Sequence, residues 1–336
     1  MAGPRIFFLM LDAFDPVRLS PRLTPNLWRW ANADGAGTGT GLSVMASSTY
    51  PNHASFVTGV PPSRHGIWAN HVIRNGEVAG AWDAGPLAPT VFDRFGDQAA
   101  AVLGDHHLVG VMGARAAAAH WPVDGVLTPE IVLDPLAYPA DEAVLPPLIQ
   151  ALETSARLVV GYFGSIDTYS HIYGPVSDEA EDAYRRLDHC LAQLEPAIDW
   201  NETVILVVSD HIQETADERP GIDLRPAVGE ETIVIDEGSA ALLGPTPNPG
   251  VLDEIEGVEG WMKLGDGNLL AWCERGRFFG AFESPLLKGV HGGPHTRTQL
   301  ALVSGGHPAR RGLTAMVNSG AVPAEAWAGA IATVLG

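Results

Sequence analysis

Apolar residues gather in four short runs along the chain, at 6–11, 157–163, 203–209 and 298–304. Each run is nearly continuous instead of alternating with polar residues, which is typical of strands that are buried on both faces of a sheet. The sequence therefore predicts four core strands, with the sequences IFFLML, RLVVGYF, TVILVVS and TQLALVS.

Segments with a helical spacing of apolar residues lie between these runs. Thr24 and Pro25 form a cap and first-turn pair for the segment 25–33. Ser177 precedes the segment 178–195, whose apolar side chains fall on one helical face. Because strands alternate with helices, we predict an α/β fold with a mostly parallel central sheet.

The segment 212–288 has a different pattern, with turn-rich stretches such as GPTPNPG and LGDGN and little helical periodicity. We interpret it as a smaller lobe inserted beside the active site of a single domain that spans residues 1–336. Ligands of parallel α/β sheets bind beyond the carboxyl ends of the strands, so the residues that follow each apolar run are the candidates for chemistry.

Composition narrows the possible functions. Hydrophobic residues make up 46% of the chain and charged residues 18%, as in ordinary globular proteins. The formal net charge of −20 disfavours a nucleic-acid polymer as partner. No apolar run approaches the eighteen or so residues of a membrane-spanning helix, so we expect no membrane partner and a cytoplasmic location. The two cysteines, Cys190 and Cys273, provide no disulfide framework.

Aspartates follow three of the four apolar runs. Asp12 ends FLMLD, Asp167 ends YFGSID, and Asp210 with His211 ends LVVSDH. Three acids at one edge of a sheet concentrate negative charge, which is costly unless a cation is bound there. Each acid alone is equally compatible with a loop anchor or a helix cap.

Histidines add further potential ligands. Asp167 and His171 are spaced i, i+4, so one helical turn can direct both toward the same ion. His291 lies in KGVHGGPH, where glycines allow close approach of the backbone. A carboxylate and imidazole ligand set without cysteine suits zinc, manganese or iron in a catalytic site. Taken singly, His291 is also compatible with a buried structural histidine.

Thr49 allows two interpretations. It precedes Pro51 in the stretch MASSTYPNHASFVTG, and Gly59 stands where the following helix would end. As a cap, the hydroxyl would accept a hydrogen bond from the first helical turn. As a nucleophile, it would benefit from the positive end of the helix dipole, which favours an alkoxide and a bound phosphate. Both interpretations predict similar local structure.

These segments together resemble the alkaline phosphatase superfamily, and most closely its nucleotide pyrophosphatase/phosphodiesterase (type I phosphodiesterase) branch. The matching pieces occur in the order of that family: the strand ending at Asp12, then TYPNHASFVTGVPPSRHGIWAN, DTYSHIYGP, VVSDH and GVHGG, from residue 6 to residue 293. The resemblance implies a three-layer α/β/α sandwich of the alkaline phosphatase type.

The resemblance also implies a two-metal site, usually zinc, that acts on small phosphate esters or nucleotide-like substrates. One ion would be held by Asp12, Thr49, Asp210 and His211, and the second by Asp167, His171 and His291. Thr49 would be the nucleophile that forms a phosphothreonine intermediate. Asn70 matches an asparagine that donates to a non-bridging phosphoryl oxygen.

Two departures from the family pattern stand in the sequence. Ile212 replaces the glycine that usually follows Ser-Asp-His, and His295, four residues after His291, is a competing ligand. A phosphonate hydrolase of the phosphonoacetate hydrolase kind and a phosphomonoesterase are the alternative activities. A metal-binding protein that has lost catalysis is the alternative from another class. The sequence around Thr49 lacks the Cys/Ser-x-Pro-x-Arg pattern of a sulfatase.

Overall fold

A computed structural model describes residues 3–246 and 248–336 of the protein. Its largest feature is an eight-stranded sheet in which parallel pairs join β1 to its neighbours on both sides. The strands of the described residues are β1 (Arg5–Leu11), β2 (Gly37–Leu42), β3 (His71–Arg74), β4 (Glu77–Gly80), β5 (Ala99–Leu103), β6 (Ala119–Trp121), β7 (Leu158–Phe163), β8 (Thr203–Val208), β9 (Glu214–Thr215), β10 (Val234–Glu237), β11 (Ala240–Leu243), β12 (Val258–Lys263), β13 (Leu269–Cys273), β14 (Gly289–Val290), β15 (Thr298–Gly305) and β16 (Val322–Pro323).

The central sheet has the strand order β16-β2-β15-β8-β1-β7-β5-β6. Only β15 runs antiparallel to its neighbours, β2 and β8, among the described strands of this sheet. The four predicted core strands coincide with β1, β7, β8 and β15, and the predicted mostly parallel sheet is confirmed.

Helices cover both faces of this sheet. The helices of the described residues, of which α10 lies in the region of the second sheet, are α1 (Pro25–Ala31), α2 (Thr49–Thr58), α3 (Pro62–His65), α4 (Ala81–Ala84), α5 (Val91–Phe95), α6 (Leu108–Val111), α7 (Asp141–Glu153), α8 (Ser165–Tyr173), α9 (Asp178–Leu194), α10 (Arg225–Val228), α11 (Arg310–Asn318) and α12 (Ala326–Leu335). The predicted helix after Ser177 is α9, and the Ser177 hydroxyl accepts a hydrogen bond from the Ala180 N–H. Thr24 precedes α1, but its side chain makes no capping bond.

The alternation of side chains along β1 shows why it had to be apolar throughout. Phe8 and its same-face neighbours pack against α2 and α12 through Phe56 and Trp327. Phe7 and Leu9 point the other way, into the cluster that contains α1, α7 and α9. Both faces are therefore buried, and the three-layer α/β/α sandwich expected from the resemblance is confirmed.

A second sheet lies within the predicted lobe at 212–288. It is antiparallel, with the strand order β10-β11-β13-β12. The predicted lobe includes Pro247, and the predicted domain begins at residue 1; both positions lie outside the described residues. The division of the chain into one domain with an inserted lobe stays a prediction. In the part of the chain that the structure describes, no helix combines the length and apolarity needed to cross a membrane.

Candidate active site

The central sheet brings the predicted site residues to one edge. Asp12 directly follows β1, and Asp210 with His211 follows β8, its parallel neighbour. Asp167 lies on α8, just past the end of β7 on the other side of β1. The carboxyl ends of three adjacent parallel strands thus meet where ligands of α/β sheets bind.

Asp12, Asp210 and His211 form a first group, which we call the inner triad. The His211 Nε2 atom lies 3.5 Å from Asp12 Oδ1 and 3.3 Å from Asp210 Oδ2. All three side chains are at most 2% exposed. Asp12 Oδ1 and Asp210 Oδ2 are buried without a hydrogen-bond partner among the described residues. Two orphaned carboxylate oxygens beside an imidazole nitrogen fit a bound divalent cation.

The remaining oxygen of each carboxylate in the inner triad is held in place. Asp210 Oδ1 accepts hydrogen bonds from the backbone N–H of Ala13 at 3.1 Å and of His211 at 3.0 Å. Asp12 Oδ2 accepts a bond from the Tyr162 hydroxyl. These bonds fix the carboxylates so that their free oxygens face the centre of the triad, as outer partners of metal ligands do.

Burial also sets the charge of the inner triad in the metal-free protein. Desolvation and the nearby Asp210 carboxylate raise the pKa of Asp12 well above its ordinary value. Desolvation raises the pKa of Asp210 to about 7, and desolvation lowers the pKa of His211 well below its ordinary value. A divalent cation would reverse the two carboxyl shifts by stabilising the carboxylates.

Asp167, His171 and His291 form a second group, the outer triad. The Nε2 atoms of His171 and His291 lie 3.1 Å apart. His171 Nε2 is 3.4 Å from Asp167 Oδ2, and His291 Nε2 is 3.8 Å from Asp167 Oδ1. Both inner and outer triads are groups whose ligand atoms all lie within 4.8 Å of one another.

Outer partners fix the tautomer of each histidine in the outer triad. The Nδ1 atoms of His171 and His291 lie 2.7 Å from the Gly289 carbonyl and 3.2 Å from the Ser47 carbonyl, respectively. A carbonyl only accepts, so each Nδ1 donates its proton, and both Nε2 atoms keep a lone pair. Two lone pairs converging on one point fit a cation between them.

The structure brings His291, and not its rival His295, to the outer triad. His295 Nε2 instead lies 2.7 Å from Glu259 Oε2 at the end of the lobe sheet. The rings of His291 and His211 stack with their centroids 3.8 Å apart, so the two triads touch each other directly.

Thr49 is not the cap of α2. The helix begins at Thr49 itself, Ser48 occupies the cap position, and no capping bond is formed by its side chain. Thr49 Oγ1 lies 3.5 Å from Asp12 Oδ2 and 3.4 Å from His211 Nε2. The hydroxyl therefore faces the inner triad, where it is available for chemistry.

A cavity of about 210 Å³ opens beside both triads. Its lining includes Thr49, Asn70, Tyr50, Tyr138 and Asp105, together with acidic and histidine residues of the two triads. Asn70 Oδ1 is buried and has no hydrogen-bond partner among the described residues. The cavity thus brings together Thr49, the predicted nucleophile, and Asn70, the predicted hydrogen-bond donor to a phosphoryl oxygen.

Several contacts in the site carry no signal in the sequence. Tyr162 occupies an apolar strand run, yet its hydroxyl binds Asp12. Gln213 Nε2 donates to Asp167 Oδ1 at 2.5 Å from an irregular loop. The sequence shows only that Tyr162 has a hydroxyl within a buried strand and that Gln213 stands two residues after VVSDH. Neither observation identifies the residue that the side chain contacts.

A third group of potential ligands, Asp105, His106 and His107, lies beside the cavity. His107 Nδ1 is 2.9 Å from the Tyr50 hydroxyl, and its ring stacks on Trp82. Desolvation raises the pKa of Asp105 to about 7. The hydrogen bond and the aromatic packing of His107 are those of a structural part of the cavity wall, so we assign no metal to this group.

The sequence matches the family model of type I phosphodiesterase/nucleotide pyrophosphatase over residues 6–257. The curated relatives include bis(5'-adenosyl)-triphosphatase enpp4 from Xenopus laevis, 22% identical over 281 residues, covering 78% of this chain and 59% of the relative. Ectonucleotide pyrophosphatase/phosphodiesterase family member 1 from Rattus norvegicus is 26% identical over 226 residues, covering 61% of this chain and 24% of the relative. The chain thus spans less than two thirds of the length of either relative.

Solved structures share the fold. Murine ectonucleotide pyrophosphatase/phosphodiesterase 5 superposes with a TM-score of 0.76 at 18% identity, over 98% of this chain and 95% of that one. An inactive threonine-to-alanine variant of the murine protein, in complex with AMP, matches with the same score and identity over 99% and 95%. Phosphonoacetate hydrolase from Sinorhizobium meliloti, in complex with phosphonoacetate, gives 0.69 at 17% identity over 98% and 96%.

Proposed function

The chain belongs to the type I phosphodiesterase/nucleotide pyrophosphatase family, and from this premise we propose that it hydrolyses small phosphate diesters or nucleotide-like pyrophosphates through a phosphothreonine at Thr49. One observation carries the proposal. The Thr49 hydroxyl lines the cavity and contacts Asp12 and His211 of the inner triad. A capping hydroxyl would instead contact backbone N–H groups of the first helical turn.

Two divalent ions, which we propose to be zinc, fit the two triads. Asp12, Asp210 and His211, with the Thr49 hydroxyl, would hold one ion through the orphaned oxygens of the inner triad. The outer triad would hold the second through its converging Nε2 atoms. When bound, the cations lower the pKa of the threonine hydroxyl and offset the negative charge of the phosphoryl group.

The residues of the chain then have distinct tasks. In the first half-reaction, Thr49 Oγ1 loses its proton to solvent and bonds to phosphorus as the bond from phosphorus to the leaving oxygen breaks; the leaving group departs as the anion or takes up a proton from solvent. In the second, a water oxygen attacks the same phosphorus and loses a proton, the bond to Oγ1 breaks, and Thr49 Oγ1 takes up a proton. The Asn70 amide donates to a non-bridging oxygen in both transition states, where charge develops.

The likeness to nucleotide-processing relatives supports a nucleotide-like substrate. One relative is a bis(5'-adenosyl)-triphosphatase, and one similar structure contains AMP. That AMP complex was formed by an inactive threonine-to-alanine variant, which supports a reactive threonine. Tyr50 and Tyr138 give the cavity aromatic surface for an organic substituent.

A phosphonate hydrolase is the second candidate. The observation in its favour is the likeness to phosphonoacetate hydrolase across 98% of this chain. The same nucleophile and the same two triads would serve for cleavage of a carbon–phosphorus bond, so the substrate alone separates the two activities.

Hydrolysis by zinc-loaded protein tests the proposal with three substrates: bis-p-nitrophenyl phosphate, p-nitrophenyl phosphate and phosphonoacetate. We expect the diester to have the highest kcat/KM. Thr49→Ala should lower it by at least about 10³-fold, because the covalent route is lost. Thr58→Ala is the matched control, since Thr58 lies at the far end of the same helix and its hydroxyl donates to the Ala54 carbonyl.

Intact-mass spectrometry after acid quenching adds a direct readout. After reaction with the diester, we expect an adduct of the mass of a p-nitrophenyl phosphoryl group on the wild type and on the Thr58→Ala variant, and none on Thr49→Ala. Wild-type rates in Thr49→Ala would refute the assignment of Thr49 as the nucleophile. Preference for phosphonoacetate would favour the second candidate, and zinc binding without turnover of any substrate would identify a catalytically inactive metal-binding protein.

A further inference from the structure

The turn between β10 and β11 extends from the lobe sheet to two segments of the candidate active site. Glu237, the last residue of β10, accepts a hydrogen bond at Oε1 from the Asn70 backbone N–H at 3.1 Å. Two residues later, the Ser239 N–H donates to the His291 carbonyl at 2.8 Å. One short turn therefore contacts both Asn70, the predicted hydrogen-bond donor to the phosphoryl group, and His291 of the outer triad.

Gly238 makes this approach possible. Its φ of +66° is in the left-handed region, and a Cβ built there would lie 2.6 Å from the His291 carbonyl oxygen. Any larger residue would push the turn away from the site. The position is thus shaped for close backbone contact.

The Glu237 carboxylate is buried, and burial of a carboxylate costs free energy unless it is paired. Its partners are the Asn70 N–H and His71, whose Nδ1 lies 3.6 Å from Glu237 Oε1. Asn70 directly precedes β3, and His71 is the first residue of β3. A buried acid directed at this segment alone indicates a specific role there.

Apolar packing fixes the turn relative to that segment. Ala240 and Leu242 of β11 pack in one buried cluster with Ala46, Ala69 and Ile73. The Asn70 carbonyl also accepts a bond from the Ala81 N–H at 3.0 Å. Both backbone polar groups of Asn70 are therefore tethered, one by the lobe and one by α4.

We propose that Glu237 is a positioning residue for Asn70: its carboxylate, bound to the Asn70 N–H, holds the side-chain amide where it meets a phosphoryl oxygen. The inference rests on the proposed function, in which Asn70 is the donor. It gives the lobe a task in catalysis, because the acid that orients the donor comes from the lobe sheet.

A double-mutant cycle between Glu237 and Asn70 tests this role on zinc-loaded protein with bis-p-nitrophenyl phosphate. Asn70→Ala should lower kcat/KM by about 10²-fold, as loss of one oxyanion donor does. Glu237→Ala should lower it by about 10-fold, mainly through kcat, because the donor is misplaced. In the Asn70→Ala background, Glu237→Ala should add no further loss, since a residue that acts through Asn70 has nothing left to position.

Two further variants separate positioning from structure. Glu237→Gln keeps a carbonyl oxygen for the Asn70 N–H and should retain most activity. Asp236→Asn is the matched control on the same strand: its carboxylate accepts from Arg225 Nη2 at 2.8 Å and does not contact Asn70. We expect wild-type kcat/KM for this control. If Glu237→Ala does not fold, Glu237→Asp enters the same cycle, because it keeps the charge but withdraws the acceptor.

The outcomes are distinguishable. Wild-type kcat/KM in Glu237→Ala, or a loss that multiplies with that of Asn70→Ala, would overturn the positioning role while leaving the proposed function intact. Full activity of Asn70→Ala would overturn both the donor assignment and the inference. Full activity of Thr49→Ala would contradict the proposed function itself.

Discussion

The inner and outer triads contain similar ligands in different surroundings. The inner side chains are at most 2% exposed, and two of its three members are carboxylates. The outer side chains are 11% to 18% exposed, and two of its three members are imidazoles. The inner triad is built on the ends of β1 and β8, whereas the outer triad joins α8 to the loop after β14. The core sheet supports one site, and peripheral segments assemble the other.

This contrast predicts unequal tolerance to change. A buried pair of carboxylates that loses its cation must either carry uncompensated charge or take up protons, so the inner triad should retain its ion strongly. The outer triad has solvent at its edge and a smaller charge, so its ion should exchange more readily.

The largest effect is expected for Asp210→Ala in the inner triad. The change removes a charged ligand and the acceptor of the Ala13 and His211 N–H groups. We expect kcat/KM for the diester to fall by at least about 10³-fold and bound zinc to fall by one ion per chain. Steady-state kinetics and elemental analysis measure both. Asp217→Asn, at a half-buried acid of the lobe that pairs with Arg219, is the control, and a loss below tenfold at Asp210 would contradict an essential inner site.

A smaller and reversible loss is expected for His171→Ala in the outer triad. At low zinc, kcat/KM should fall by about 10²-fold, and excess zinc should restore part of it, because the other ligands remain accessible. A zinc titration of activity measures the recovery. If Asp210→Ala were rescued to the same extent, the two triads would not differ as described.

Chelation tests the contrast without mutation. Incubation with EDTA should release zinc in two phases of equal amplitude, and activity should fall with the first phase because catalysis needs both ions. Thermal stability should fall mainly with the second phase, when the buried carboxylates of the inner triad lose their cation. Release in one phase would mean that the triads exchange together.

Gln213→Ala should produce a modest effect on the outer triad alone. The side chain donates to Asp167 Oδ1, so its removal frees a ligand oxygen to rotate. We expect about 10-fold weaker zinc binding at the outer triad and unchanged retention at the inner one. Competition with a chromophoric chelator measures the affinity. Gln150→Ala on the exposed face of α7 is the control, and equal weakening of both sites would argue against the assignment.

The smallest effect concerns pH and stability in the metal-free protein. Burial raises the pKa of Asp210 to about 7, so the folded protein keeps a proton there at pH values where the unfolded chain, with a carboxyl pKa near 3.8, has lost it. The pKa of Asp12 is raised in the same direction. The free energy of unfolding should therefore fall as pH rises from 6.5 through about 7 toward 8. Buried histidines with lowered pKa values, such as His211, act below this window, where they raise stability with rising pH.

Thermal melts with and without zinc check this expectation. We expect Tm of the metal-free protein to drop between pH 6.5 and 8, by about 1 to 2 °C from Asp210 alone, and a flatter profile with zinc, because the cation holds the carboxylates ionised at both values. Parallel profiles would mean that the inner carboxylates do not receive the ion.

The sequence predicted those parts of the fold and site that depend on local pattern. Continuous apolar runs revealed the core strands, and the acids that follow β1 and β8 lie at the sheet edge as expected. The strand β2, with the sequence GTGTGL, was missed because alternating glycines carry no apolar signal. Glycine is needed in β2 because of tertiary packing: a Cβ at Gly39 would lie 2.6 Å from the Val317 carbonyl oxygen of α11.

Partners that act at a distance in sequence were beyond such patterns. Glu237 is 167 residues from Asn70, and Tyr162 is 150 residues from Asp12. The neighbouring residues in the sequence do not distinguish Glu237 from a solvated acid, or Tyr162 from an ordinary strand tyrosine. The local pattern also left two interpretations of Thr49, and the first turn of α2 excludes the cap, because the helix starts one residue earlier than capping requires.

The stacked rings of His211 and His291 have a thermodynamic consequence. An ion that immobilised one ring would also restrict its neighbour, so the entropy lost on filling one triad would be partly shared by the other. Linkage then requires that each ion change the affinity of the other by the same factor. With ions at both triads, as proposed, their occupancies would form a joint equilibrium, and the response to scarce metal would be a property of the pair.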